Sequence, residues 1–425
     1  MIMGSKIRPI LITALTAVAL IFAPFIGSVG EASDQAPRVI AIGEVQCAAK
    51  TVTSLLRGLD LIDEQKHWSG GSTILVQTGD LVDGGENLRA TLDLFMRLQD
   101  EAAAAGGRVV VLMGNHEVMN IVGELGSVNY MTFGKFAGPD SESRQRQAFD
   151  DYVASRQRRA EEIDGPDFIA DGNFEAEWMA AHPLGWVEYV ESMGTDGVYG
   201  AWLRSLPVAI EIEEVLYIHG GISPEMKGTD IDAMNRQARE EIAYLDNVRA
   251  AMVEEGLCLT TSSIREMVDI VKDEVKFVNS LKESKRTARN PRVVRAAQLD
   301  DLTGLGSWLL LDEEGPLWFK GMSRWTEEEH RAEMAEILDS AGVERMVTGQ
   351  SDGKGNLIRA RFDNRVLLTS VNLSDEPWAG GGKPAALEID DGVYSVVTLT
   401  GRQVLIDESS AVANPQKLET AGSLP

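Results

Sequence analysis

The chain has 425 residues, a length that fits one large or two ordinary domains, and we expect one elaborated domain with a sizeable core. Sixty-six acidic against 40 basic side chains give a formal charge of −26, which repels phosphate backbones and anionic headgroups and argues against nonspecific nucleic-acid binding. The cysteines, Cys47 and Cys258, rule out a cysteine-based zinc site and allow at most one disulfide.

Lys6 and Arg8 precede an apolar run, Ile10 to Ala23, and the small residues Gly30 and Ala32 suit a cleavage site just after them. Residues 1–32 therefore read as a secretory signal peptide, with a mature chain starting near Ser33 in the periplasm or outside the cell. The alternative is an uncleaved membrane anchor, because the apolar stretch continues past Pro24 to Val29, near the ~20 residues a spanning helix needs.

Beyond the leader, strand-like and helical runs alternate. Val39–Ile42 is followed by an amphipathic stretch from Thr51 to Ile62, then Thr73–Thr78, a helix from Asn87 to Ala104, and Arg108–Met113. This is a βαβαβ start with strands buried on both faces, which places the chain in the α/β class. Residues 140–180 and 230–295 are charged and helical in composition and read as insertions over the sheet. Strands return at Val208–Glu211, Val215–His219, Arg345–Thr348, Arg365–Thr369 and Val393–Leu399, and residues 409–425 read as a loose tail.

Polar residues collect where these strands stop: "GDLVDGGE" after Thr78, "GNHE" after Met113, "HGG" after Ile218. Open α/β sheets place ligands beyond the carboxyl ends of their strands, so the loops should converge on one site built from Glu44, Asp80, Asp83, Asn115, His116 and His219. Two divalent ions about 3.5–4 Å apart need a carboxylate between them, with oxygen and imidazole ligands on either side. Asp80 suits the bridge, Asn115 offers a carbonyl oxygen and His219 a ring nitrogen. His116, oriented by Asp83, is the candidate proton donor to a leaving oxygen.

"GDLVDGG", "GNHE" and "HGG" together resemble the signature of calcineurin-like metallophosphoesterases, within the phosphoprotein-phosphatase superfamily. "WLRSLP", "GPLWFKG", "VTGQSDG" and "GGKPAALEID" are similar to the bacterial Shewanella-like phosphatase branch, and the similarity covers most of residues 37–400. The resemblance implies a four-layer αββα sandwich over residues 33–408, two divalent metals of the Mn, Fe or Zn type, a phosphoester or phosphoprotein substrate, and attack by metal-bound water. Carried over residue by residue, it also exposes departures. The family's Gly-Asp-x-His reads Gly43-Glu44-Val45-Gln46, Gly84 stands where an arginine would grip phosphate, and the final Gly-His-Thr reads Gly349-Gln350-Ser351. Asp80, Asp83, Asn115, His116 and His219 stand as the family has them.

The implied ligand set is thus Glu44, Gln46, Asp80, Asn115, His219 and Gln350, with one imidazole lost to each metal. A glutamine oxygen is a hard neutral donor that suits magnesium or calcium better than zinc. Arg89, a turn into the next helix, is the available substitute for the missing arginine, against the plainer reading of a solvated helix residue. The expectation is a phosphatase-type hydrolase whose hydrolysis is impaired or altered. The alternative is a pseudophosphatase acting as a binding or structural module. Cys47 and Cys258 would be bonded if the second insertion closed over the site, and would otherwise be two buried thiols.

Overall fold

The computed structural model describes residues 36–163, 165–350, 358–373 and 383–409, so the leader and most of the tail lie outside the described residues. In chain order the elements begin β1 (Val39–Ile42), α1 (Ala49–Gly58), β2 (Ile74–Gln77), α2 (Leu88–Ala104), β3 (Arg108–Val111) and α3 (Asn115–Val122). A helical stretch follows: α4 (Tyr130–Gly134), α5 (Ser141–Glu162), α6 (Gly172–Ala181), α7 (Trp186–Met193) and α8 (Val198–Arg204). After β4 (Ala209–Ile212) and β5 (Val215–Ile218) come α9 (Ile231–Glu254), α10 (Ile264–Ser280), α11 (Pro291–Leu299), α12 (Gly321–Arg324) and α13 (Glu327–Ala341). The chain closes through β6 (Arg345–Thr348), β7 (Arg359–Arg361), β8 (Val366–Leu368), β9 (Ala385–Asp390), β10 (Val393–Thr398) and β11 (Gly401–Asp407).

Two sheets share one hydrophobic core with the helices, which is the four-layer αββα arrangement. The first has the order β11-β10-β9-β1-β2-β3 and the second β4-β5-β6-β8-β7. Strands β1, β2 and β3 are parallel, with Val39 opposite Ile74 and Ile74 opposite Arg108; β5, β6 and β8 are parallel in the other sheet. Their apolar runs are buried, as strands covered on both faces must be. Parallel strands end on one side, so the polar loops after β1, β2 and β3 emerge together, and so do those after β5, β6 and β8.

Several elements differ from the sequence reading. The helix expected over Thr51–Ile62 stops at Gly58, and Ile62 instead bridges Trp68. Strands β7, β9 and β11 were not anticipated: β7 is three residues long, and β11 leaves most of its side chains exposed, so neither carries an apolar run. Helix α13 was also missed, although three glutamates open it, where the helix dipole favours them, and Gly342 closes it in the left-handed conformation. Among the described residues no helix is long and apolar enough to cross a membrane.

The helices of the insertions are clamped by a buried carboxylate. Glu274 on α10, fully buried, accepts from Arg159 Nη1 of α5 at 2.6 Å, from Arg292 Nε at 2.7 Å and from Arg295 Nη2 at 2.8 Å, both of α11. Burial by itself would raise this carboxyl; the three guanidiniums overcome that and hold it down from 4.5 to about 2. Because the folded value is the lower one, the stabilisation is complete above about pH 4.5 and is lost as pH falls toward about 2. Glu274→Gln should cost about 3–5 kcal/mol at neutral pH, as breaking a buried ion network does. It should also remove part of the acid-linked loss in urea midpoint between pH 5 and 3, and a variant with wild-type midpoints at both pH values contradicts this assignment.

Candidate functional site

The site begins where β1 and β8 end. A Cβ on Gly43 would lie 1.9 Å from the Thr369 carbonyl oxygen, so only glycine lets the first loop leave β1 there. Gln77, at the end of β2, ties the first two loops together: its amide nitrogen donates to Gly43 O at 3.2 Å and Gly79 O at 2.6 Å. Four non-glycine residues of these loops, Gln46, Cys47, Asp80 and Asp83, have φ between 45° and 64°. Such backbone costs on the order of 1–3 kcal/mol per residue and persists only where the surroundings impose it.

What imposes it at Asp80 is Glu117. This fully buried carboxylate accepts the N–H groups of Asp80 (2.9 Å), Leu81 (2.8 Å), Val82 (3.1 Å) and Gly114 (2.7 Å), so one side chain of α3 holds the second loop in place. Burial and the nearby Asp80 charge push the Glu117 carboxyl up, and the N–H donors of Asp80 and Gly114 act against that.

Within this frame the predicted residues fall into two halves. In the first, His219 Nδ1 lies 2.8 Å from the Thr78 carbonyl oxygen, to which it must donate. Its Nε2 then faces Asn115 Oδ1 at 3.0 Å and Asp80 Oδ2 at 3.4 Å, and all three atoms are acceptors. Such a set needs either a proton on the imidazole or a cation in its midst. Burial would lower His219, but the Asp80 charge outweighs it and raises the imidazole. Burial likewise works to raise Asp80, and His219 and His116 hold it well below the usual carboxylate range. Gln350 sits beside this group, its N–H donating to His219 O at 2.8 Å; its amide oxygen is buried with no hydrogen-bond partner. Donors about 2.1 Å from a single ion stand about 3.0–3.4 Å apart, and the Asn115–His219 and Asp80–His219 spacings match this, so these three side chains fit one divalent ion, with the unpartnered Gln350 oxygen on the same loop cluster.

The other half is occupied by its own hydrogen bonds. Gln46 Nε2 donates to Glu44 Oε2 at 3.2 Å, and Gln46 Oε1 accepts from Asn372 Nδ2 at 2.8 Å. Gly84 has φ +68°, and a Cβ there would lie 2.9 Å from Gln46 Oε1. The histidine-to-glutamine and arginine-to-glycine departures are therefore neighbours, and an arginine at 84 requires the Gln46 side chain to shift and a left-handed backbone to be kept at a non-glycine residue. This half does not fit a second ion as it stands. Among the described residues no three His, Cys, Asp or Glu side chains form a metal cage.

His116, at the start of α3, stands between the halves. Its Nδ1 pairs with Asp83 Oδ2 at 2.7 Å, while Nε2 is 3.9 Å from Asp80 Oδ2. Burial would lower this imidazole; Asp80 and Asp83 together lift it to about 10, which keeps a proton on the ring. Asp83 is fixed in turn by Asn120 Nδ2 at 2.9 Å, and Asn120 Oδ1 accepts from the Tyr189 hydroxyl of α7.

Arg89 does not reach the site. It is exposed on α2, donates to Lys135 O at 3.3 Å and lies over the Phe136 ring, which is the solvated-helix arrangement. Cys47 and Cys258 are free and buried, so no disulfide closes a lid. Sequence reasoning missed Glu117, Asn120, Tyr189 and Asn372. The first was in view as the last letter of "GNHE", at the third position of a helix, where glutamate commonly turns back on the preceding N–H groups. Asn372 follows a strand end, as the other site residues do.

A family model for calcineurin-like phosphoesterases matches residues 37–255. The chain belongs to that family. It is 22% identical over 365 residues to Shewanella-like protein phosphatase 1 of Plasmodium berghei, covering 85% of this chain and 74% of that protein. It is 41% identical over 88 residues to Shewanella-like protein phosphatase 2 of Arabidopsis thaliana, a match that covers 20% of this chain and 22% of that one. Among solved structures it resembles the cold-active protein-tyrosine phosphatase of a psychrophilic Shewanella species, with TM-score 0.53, 22% identity, and coverage of 87% of this chain and 80% of that one. The fold is shared, and members of this phosphoesterase family ordinarily use divalent metals.

Replacing Glu117 by alanine strands four buried N–H groups at about 1–3 kcal/mol each before relaxation. Chemical denaturation should show a loss of at least about 3 kcal/mol, and Glu117→Gln, which keeps one acceptor oxygen, should lose less. Equal stability of the alanine variant and the wild type would mean that the second loop is held by something else.

Proposed function

We propose that this chain binds phosphoesters over a one-ion site and hydrolyses them slowly, with a phosphomonoester or phosphoprotein as substrate. The observation that carries the reading is the His116–Asp83 pair, kept at 2.7 Å beside a half-site of converging acceptors. A carboxylate, two amide oxygens and one imidazole favour a hard ion such as magnesium or manganese over zinc. When bound, such an ion supplies charge stabilisation for the phosphoryl oxygens and makes a nearby water more acidic.

The remaining work falls to the chain itself. Asp83 fixes the His116 ring through Nδ1, which leaves Nε2–H to give its proton to the leaving oxygen as the ester bond breaks. Asn120 and Tyr189 keep Asp83 from turning away. Without an arginine at 84 no bidentate side-chain grip holds the phosphoryl group there, which weakens binding and orientation and makes turnover slow. The basic start, apolar core and small-residue site of residues 6–32 support export of the mature protein.

With 4-nitrophenyl phosphate and magnesium or manganese, the purified protein should turn over slowly, and His116→Ala should lower kcat by ~100- to 10,000-fold with KM little changed. A variant as active as the wild type would remove His116 from the reaction. No turnover by the wild type with any divalent ion would leave the non-catalytic reading, which the closed Glu44–Gln46–Asn372 chain favours.

A further inference from the structure

Between α3, α7 and the connection from α9 to α10 lies a cavity of about 410 Å³, within the range of small-molecule pockets. Part of its lining is rings: Trp186, His182 and Phe133, with the His182 ring 4.4 Å from that of Trp186 and nearly perpendicular to it. Another part is polar, including Thr261, Asn120 and Arg249.

Arg249 is the anomaly. It is partly buried; its Nη1 and Nη2 donate to the carbonyls of Ile121 and Val122 at 3.2 Å each, and its Nε is buried without a partner. Among the described residues no carboxylate lies within 4 Å of it. Every other arginine that is not exposed and whose partners are described has one, from Arg38 with Glu388 to Arg365 with Asp339. The acids near Arg249 are already engaged. Asp246 takes Arg204 through both oxygens, Glu124 pairs with Arg265, and Glu266 accepts the Ser263 N–H. A shielded cation whose nearest carboxylate, Asp246, is committed to another arginine is costly, and it is out of place in a chain of net charge −26.

We propose that this cavity is a binding site for a small aromatic anion, a flat ring carrying a carboxylate or a phosphate group. The anionic group takes the place opposite Arg249 that carboxylates hold elsewhere in the molecule, and the ring packs against Trp186 and His182. Asn120 both lines the cavity and holds Asp83 at 2.9 Å, so the site shares a wall with the His116 pair.

Isothermal titration of the full chain in EDTA, which empties the one-ion site and stops turnover there, with benzoate, phenyl phosphate and benzyl alcohol tests this independently of the phosphoesterase reading. Both anions or one of them should bind, benzyl alcohol at least tenfold more weakly, and the stronger anion identifies whether the group is carboxylate or phosphate. Arg249→Gln should weaken anion binding at least tenfold. Because Arg249 also caps α3, a second variant is needed: Gly126 lines the cavity and an added Cβ there meets nothing within 4 Å, so Gly126→Phe should fill the space and abolish binding. The proposal is overturned if neither anion binds, if benzyl alcohol binds as tightly, or if Gly126→Phe binds as the wild type does.

Discussion

Three acceptor atoms turned toward one another set the terms for this site. The Thr78 carbonyl takes the Nδ1 proton of His219, which leaves Nε2 facing the Asn115 carbonyl oxygen and the Asp80 carboxylate. Lone pairs at these separations repel unless a positive charge lies among them, whether a proton or a divalent ion. The surrounding chain is arranged to keep them there. The Glu117 carboxylate holds the loop that carries Asp80, Gln77 holds that loop to the end of β1, and Gln46, Cys47, Asp80 and Asp83 take left-handed backbone within these loops.

Viewed from Asp80, the departures from the family pattern are not scattered. Glu44, Gln46 and Gly84 lie on one side, where glutamine has found hydrogen-bond partners in Glu44 and Asn372 and takes up the space a side chain at 84 would enter. The other side keeps its carboxylate, carboxamide and imidazole, and adds Gln350 with an unpartnered amide oxygen. A second imidazole lost there is replaced by a donor of the same kind that Asn115 already offers. The first side is closed by its own hydrogen bonds, and the second presents oxygen donors where the family pattern has an imidazole.

Much of this was legible in the sequence, for identifiable reasons. Strands β1, β2, β3, β5 and β6 are buried on both faces and read as short apolar runs, and each ends in glycine and polar residues. That is why the sequence alone places Asp80, Asn115, His116 and His219 at strand ends. Strand β11 was hidden because its outer face is solvated, and α13 because its acidic first turn masks a short apolar stripe. Glu117, Asn120 and Tyr189 were hidden for a different reason. Their importance lies in hydrogen bonds to backbone and side chains 35 to 69 residues away, which no local spacing records. The pairing of Gln46 with Gly84 is also invisible in sequence, where each looks like an independent loss.

The proposed function rests on one divalent ion, held on the His219 side of Asp80. Elemental analysis of the purified protein after equilibration with manganese tests it directly. One ion per chain is expected in the wild type, lost in His219→Ala and retained in Gln46→Ala. Two ions per chain, or one ion lost in Gln46→Ala and kept in His219→Ala, would contradict it.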